Sequence, residues 1–274
     1  MTKPVAYNTG KMPVWCPGCG NFAIWNSIKK ALASLDLEPK NIALVSGIGC
    51  SGKMVNHVRS YAFHSLHGRT LPVATGVKLA NPELNVIVNG GDGDGYGMGL
   101  GHLIHAIRRN VNLTYIVHHN KVYGLTTGQA APTSPMGTPS KSTPFGVVDA
   151  QINPLVLAMA AGATYVARGY SGESDQLAEL IAGGIQHRGF ALIDVLQPCV
   201  TFGGEYKYEY YDARVEKLTG IPTPEKAIAL ASEQDKYYLG VYSKYERAPY
   251  DELHPEISRD IRLKDVSKLI ESFV

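Results

Sequence analysis

The chain has 274 residues, 45% apolar and 18% charged, with a formal net charge of +2. That composition supports a sizeable core and excludes a disordered chain, and with no basic run of five residues it gives no electrostatic case for nucleic acid or a membrane surface. No stretch approaches the roughly 18 uninterrupted apolar residues of a spanning helix, and the N-terminal residues hold no apolar leader core, so a cytoplasmic setting is expected.

Residues 1–20 read as an arm bearing Cys16-Pro17-Gly18-Cys19. From about residue 20 the pattern alternates between helix and strand. Phe22, Ala23, Ile28, Ala31, Leu32 and Leu35 fall near helical spacing, and Ile42 to Val45 is a short buried strand ending in Gly47-Ile48-Gly49-Cys50. A helix is predicted over 71–80, a strand from Asn85 to Val88, a glycine-dense turn, a helix over 98–109 and a strand from Leu113 to His119. Residues 121–145 carry Gly, Pro, Ser and Thr throughout, the texture of a long functional loop. Helix 154–161, strand 164–167, helix 173–187 and strand 190–196 follow. Repeated βα units with short apolar strands imply an α/β fold: a doubly wound, mainly parallel sheet covered on both faces. Residues 21–200 form this domain. Residues 201–274 hold nine of the sixteen tyrosines with poor periodicity, and are expected to be an irregular extension that packs on a partner surface.

The chemistry concentrates in the glycine-dense turn. Gly91 and Gly93 let the backbone approach a bulky anion, and Asp92 lies just past the carboxyl end of a strand. The next strand ends at Asn120. In a parallel sheet both ends open on the edge where α/β proteins bind ligands. Asp92, Asn120 and the carbonyl of Val122 then supply three oxygens to Mg²⁺, leaving room for two phosphate oxygens and a water. Rival motifs fail on named residues. An EF-hand from Asp92 needs Asp or Asn where Tyr96 stands and Glu where Leu103 stands; no GxGxxG occurs in 90–101; and Met54 breaks the near-P-loop Gly47–Lys53 at its metal-binding hydroxyl.

Cys16, Cys19, Cys50 and Cys199 are all the cysteines present. Cys50 and Cys199 each follow a strand, so both are expected on the edge that carries Asp92 and Asn120, with the CxxC arm folded over it. Four thiolates suit a [4Fe–4S] cluster or a structural zinc, and spacing alone does not choose. With strands about 4.8 Å apart, sites a few strands apart are on the order of 15 Å from each other. That separation suits electron transfer, for which zinc has no redox chemistry to offer.

The segment Gly91-Asp92-Gly93, followed after 26 residues by Asn120, resembles the GDG…N motif of thiamine-diphosphate enzymes. His119 departs from it, standing where many such enzymes have a first Asn. The run Asn120 to Gln129, with WCPGCG, GIGC and the late Pro198-Cys199, is similar to single-cluster β subunits of 2-oxoacid:ferredoxin oxidoreductases, and the likeness extends over essentially the whole chain. The resemblance implies thiamine diphosphate with Mg²⁺, held by Ile48, Gly49, Cys50, Gly91, Asp92, Gly93, Asp94, Asn120, Val122, Leu125 and Thr126. It implies a [4Fe–4S] cluster on the four cysteines. It places Lys53 and Leu125 along the substrate pocket and His67 near the cofactor, Lys53 favouring a 2-oxoacid with a second carboxylate. The implied reaction is coenzyme A-dependent oxidative decarboxylation, with electrons leaving through the cluster to ferredoxin.

Thiamine enzymes generally need a glutamate against the aminopyrimidine. The first 172 residues contain only Glu38 and Glu83, each just ahead of a strand and so expected at the opposite edge. The family supplies that glutamate from an α subunit with the pyrimidine-binding domain. Two other readings stay open on sequence: a subunit of a non-redox thiamine-dependent 2-oxoacid decarboxylase with structural zinc, and a zinc-stabilised α/β binding protein.

Overall fold

A computed structural model describes residues 2–254. An N-terminal arm leads into α1 (Asn21–Ser34), β1 (Ile42–Ser46), the short α2 (Gly49–Gly52), β2 (Tyr61–His64), α3 (Thr70–Ala80) and β3 (Asn85–Gly91). Then come a π-helical turn over Gly93–Met98, α4 (Leu100–Arg109), β4 (Leu113–His119) and a small hairpin of β5 (Val122–Tyr123) and β6 (Gln129–Ala130). The chain continues through α5 (Pro154–Ala160), β7 (Tyr165–Tyr170), α6 (Ser174–Gln186), β8 (Phe190–Leu196), α7 (Tyr208–Asp212), β9 (Val215–Lys217), α8 (Pro224–Ser232), β10 (Tyr237–Lys244) and α9 (Tyr250–Leu253).

Eight strands form one sheet in the order β2-β1-β3-β4-β8-β7-β10-β9. The six from β2 to β7 run parallel, and β10 joins β7 antiparallel. The central β4 and β8 are buried along their whole length, so they carry near-continuous apolar runs. One face packs on α1 and α6, through Ile24, Ile28, Leu32, Leu177 and Ile181. The other packs on α3, α4, α5 and α8, through Leu71, Ala74, Leu103, Ile107, Leu155 and Ala227. Asn110 ends α4 in the left-handed conformation, φ 54°, and its amide ties the helix end to the Arg247 carbonyl at 2.7 Å and the Phe190 N–H at 2.9 Å.

Two parts of the sheet differ from the sequence-based expectation. Tyr61–His64 forms an edge strand with all four residues exposed, so it lacks the apolar run by which buried strands are recognised. The stretch 201–254 is more regular than its periodicity suggests: β9 and β10 extend the main sheet. Its tyrosines gather with Tyr170 and Leu196 into a small cluster that includes Tyr211 and Tyr237. Part of the supposed partner-packing surface is therefore spent within this chain; residues 255–274 of that extension lie outside the described residues.

The arm is anchored rather than loose. Tyr7 is fully buried, its hydroxyl 2.6 Å from the Leu37 carbonyl and 3.0 Å from that of Leu32. Tyr7→Phe removes the hydrogen bond while keeping the ring, and is expected to cost about 1 kcal/mol of unfolding free energy, or somewhat more if the carbonyls stay dry. Urea unfolding of the variant checks this, and an unchanged midpoint would mean the arm is not held there.

Candidate active site

The chain leaves β1 toward β2 on one side and returns to β3 on the other, so a crevice opens at the carboxyl ends of these strands. A cleft of about 250 Å³ lies there. Its walls are Ile48, Gly49, Cys50 and Ser51 after β1; Gly91, Asp92, Gly93 and Asp94 after β3; and Asn120, Val122, Tyr123, Gly124, Leu125 and Thr126 after β4. His118 and Gln197 close it.

Asp92 is 1% exposed and rigidly held. Its Oδ1 accepts from Gly93 N–H at 2.9 Å, and its Oδ2 accepts from Lys121 N–H at 2.7 Å and from the Thr133 hydroxyl at 2.5 Å. Burial pushes its carboxyl up, against the opposing pull of His119 and these three donors. Asn120 faces the same cleft, its Oδ1 accepting from Val122 N–H at 3.1 Å. Gly93 is obligatory: a Cβ there would stand 2.4 Å from the Tyr123 ring, whose hydroxyl donates to the Gly93 carbonyl at 2.8 Å. Asp94 reaches back, accepting from Gly68 N–H at 2.7 Å and meeting His67 Nδ1 at 2.9 Å, while its Oδ2 is buried without a partner among the described residues.

His119, at the motif's departure from the thiamine pattern, turns away from the cleft. Its Nδ1 meets Asp194 at 3.0 Å, and the Tyr96 hydroxyl donates to the same carboxylate at 2.9 Å. Despite full burial, His119, Arg168 and these hydrogen bonds bring the Asp194 carboxyl down to about 2. His118 lies between Asn21 and Asn89, at 2.7 and 3.0 Å. Burial pushes its imidazole down to about 3, so it is neutral, and one of the two amides must present its N–H to it.

The cysteines collect at the same edge. A Cβ on Gly124 would lie 3.5 Å from the Cys199 sulfur and 3.9 Å from that of Cys50. The arm crosses over them: Trp15 Nε1 donates to the Cys50 carbonyl at 2.7 Å, and Gly20 N–H reaches the Pro198 carbonyl at 3.4 Å. Burial pushes the Cys19 thiol up to about 12, and Cys199, Cys50 and Cys16 add to that rise. All four cysteines are free thiols. Among the described residues no three His, Cys, Asp or Glu side chains close around a single metal ion. Gln197 joins the two halves of the edge: its Oε1 accepts from Asn120 Nδ2 at 3.0 Å, and its Nε2 donates to the Cys19 sulfur at 3.4 Å.

Residues 47–195 match the family of the thiamine pyrophosphate enzyme, C-terminal TPP binding domain, and residues 199–259 match the C-terminal family of the pyruvate ferredoxin oxidoreductase beta subunit. The 2-oxoacid:ferredoxin oxidoreductase subunit beta of Saccharolobus solfataricus is 52% identical over 223 residues, covering 81% of this chain and 73% of the relative. The chain belongs to the β-subunit family of the 2-oxoacid:ferredoxin oxidoreductases. The 2-oxoglutarate synthase subunit KorB of Methanocaldococcus jannaschii is 36% identical over 255 residues, 90% of this chain and 93% of that one. A solved 2-oxoglutarate:ferredoxin oxidoreductase from Magnetococcus marinus, with 2-oxoglutarate, coenzyme A and succinyl-CoA bound, superposes at a TM-score of 0.91 and 37% identity, covering 99% of this chain and 96% of its own. As a member of this family the β subunit belongs to an oxidoreductase complex and has a partner subunit.

Within the β subunit two expected substrate-side residues lie off the cleft wall. Lys53 opens the 3₁₀ turn Lys53–Asn56, half-buried, where its charge acts on the Cys50 thiol. His67 reaches the site only through Asp94 and the Tyr123 ring, 6.1 Å away. Sequence reasoning did not select Ser51, His118, Tyr123, Gly124, Thr133 or Gln197. Gln197 had a legible signal, since it directly precedes Pro198-Cys199 and follows a strand; Thr133, in the long loop, had none.

Proposed function

We propose that this β subunit holds thiamine diphosphate, Mg²⁺ and a [4Fe–4S] cluster, and that with its α partner it performs coenzyme A-dependent oxidative decarboxylation of a 2-oxoacid, 2-oxoglutarate first, passing the electrons to ferredoxin. The observation that carries this reading is the side-chain bridge Asn120–Gln197–Cys19, which joins the oxygen-lined cleft to the thiols across one strand gap. The bound cofactors supply the carbanion chemistry and the electron sink.

The chain's residues bind and orient. Asp92, Asn120 and the Val122 carbonyl hold the metal; Gly91 and Gly93 admit the diphosphate; Ile48, Gly49, Cys50, Asp94, Leu125 and Thr126 wall it in. The donor set fits: a dry carboxylate pinned by three donors, beside amide and carbonyl oxygens, is hard-cation chemistry. Cys16, Cys19, Cys50 and Cys199 hold the cluster. In support, the Cys50 and Cys199 sulfurs both flank Gly124, and Cys199, Cys50 and Cys16 all act on the buried Cys19 thiol.

No glutamate lines the cleft among the described residues, and Glu38 and Glu83 are exposed at the amino ends of β1 and β3. This supports an α subunit that brings the activating glutamate with its pyrimidine-binding domain. Leu125 lines the cleft and the Lys53 charge acts on the Cys50 thiol beside it, which suits a substrate carrying two carboxylates, and the names of relatives point the same way. Four free thiols suit a reducing cytoplasm, and no described helix is long and apolar enough to cross a membrane. The test is turnover of the αβ complex with 2-oxoglutarate or pyruvate and a low-potential acceptor. Acceptor reduction that needs both coenzyme A and a 2-oxoacid, with higher kcat/KM for 2-oxoglutarate, is expected; reduction indifferent to coenzyme A would refute it.

Gln197 gives a sharper consequence. An N–H donated to a cluster sulfur favours the reduced, more negative state. Gln197→Leu is therefore expected to lower the cluster potential, by roughly tens of millivolts. A redox titration followed by EPR reads this directly; an unmoved potential would break the proposed bridge.

A further inference from the structure

Past the end of β4 the chain bends at Lys121, which is left-handed with φ 62°, and the side chains part to two sides. His118, Asn120 and Val122 face the cleft, while His119 and Lys121 leave from the opposite side and line a second cavity of about 360 Å³. Arg168 of β7 forms another wall. The three side chains are buried, with His119 and Arg168 each 4% and Lys121 7% exposed.

Among the cavity's lining residues the one carboxylate is Glu233, on the exposed rim. Arg168 pairs with Asp194, Nε at 3.4 Å, hydrogen-bonds Tyr242 and lies over the rings of Tyr237 and Tyr242, and Asp194 is shared with His119 and Tyr96. The Nε2 of His119 has no partner among the described residues. Lys121 Nζ has no acceptor there either; it lies 5.3 and 5.8 Å from the rings of Tyr206 and Tyr237. The nearby Asp92 carboxylate is already engaged by three donors on the cleft side. The cavity thus gathers an amine, a guanidinium and a buried imidazole nitrogen without a partner among the described residues.

We propose that this second cavity binds a small oxyanion, a carboxylate or phosphate group, between Lys121 and Arg168. A planar guanidinium beside a lysine suits either anion. The inference does not rest on the diphosphate assignment, because the two sets of side chains leave opposite sides of one segment.

The test is calorimetric titration of the assembled complex, saturated with thiamine diphosphate and Mg²⁺, with inorganic phosphate and, separately, succinate. Saturable binding of either is expected, and which one binds tells phosphate from carboxylate. Lys121→Met removes the charge without orphaning a partner, and should weaken binding at least about tenfold. Gln151→Glu, on the exposed rim, should also weaken it, and Glu233→Gln should strengthen it; neither touches the cleft or the core. The proposal fails if neither probe saturates, as would happen were a partner carboxylate to fill the cavity. It fails equally if binding is unchanged in both Lys121→Met and Gln151→Glu.

Discussion

Asp92→Ala is expected to abolish binding of thiamine diphosphate with Mg²⁺ while leaving the brown absorbance of the cluster in place. Loss of outer residues around a metal already costs ten- to a hundredfold in affinity, so loss of a carboxylate ligand should cost on the order of a hundredfold or more. The change also strands Gly93 N–H, Lys121 N–H and the Thr133 hydroxyl, each a buried donor worth about 1–3 kcal/mol when left unpaired. Asp92→Asn separates the two effects, because it retains an acceptor and most of the packing but not the charge. Equilibrium dialysis of the cofactor on both variants decides. If Asp92→Asn bound thiamine diphosphate and Mg²⁺ as well as the unmodified protein, Asp92 would be scaffold and not ligand. Loss of the cluster as well would indicate a folding defect.

Cys199→Ser is expected to do the reverse: the cluster is lost, substrate-driven acceptor reduction falls to background, and diphosphate binding persists. The separation follows from position. Cys199 follows β8 beyond Gln197, whereas Asp92, Asn120 and Val122 are held by hydrogen bonds from Gly93, Lys121 and Thr133 and within their own loop. Absorption near 400 nm, roughly where iron–sulfur clusters absorb, and a parallel cofactor titration read the two sites apart. A variant that still reduced ferredoxin at the normal rate would overturn the electron path through these thiols.

Much of this arrangement was legible because burial writes itself into sequence. The strands β1, β3, β4, β7 and β8 are short apolar runs between helical stretches, and their parallel order follows from that alternation. Since a parallel sheet puts all its carboxyl ends on one edge, Cys50, Asp92, Asn120 and Cys199 could be assigned to one rim before any coordinates. What stayed hidden depends on contacts made in space. The exposed β2 lacks an apolar pattern, and the tyrosine-rich end looks irregular because β9 and β10 complete a sheet begun by other residues. Thr133 meets Asp92 across 41 positions and Gln197 meets Asn120 across 77, distances over which no local pattern reports. Lys53 shows the converse: close in sequence to Cys50, it is carried off the cleft wall by the tight turn that follows α2.

The most direct measurement is elemental and EPR analysis of the anaerobically purified αβ complex before and after adding 2-oxoglutarate with coenzyme A. About four irons and four sulfides per β chain are predicted, with a signal of the reduced cluster that appears only when both substrates are present. One zinc in place of iron, or an iron signal indifferent to the 2-oxoacid, would contradict the assignment of these four thiols to the reaction.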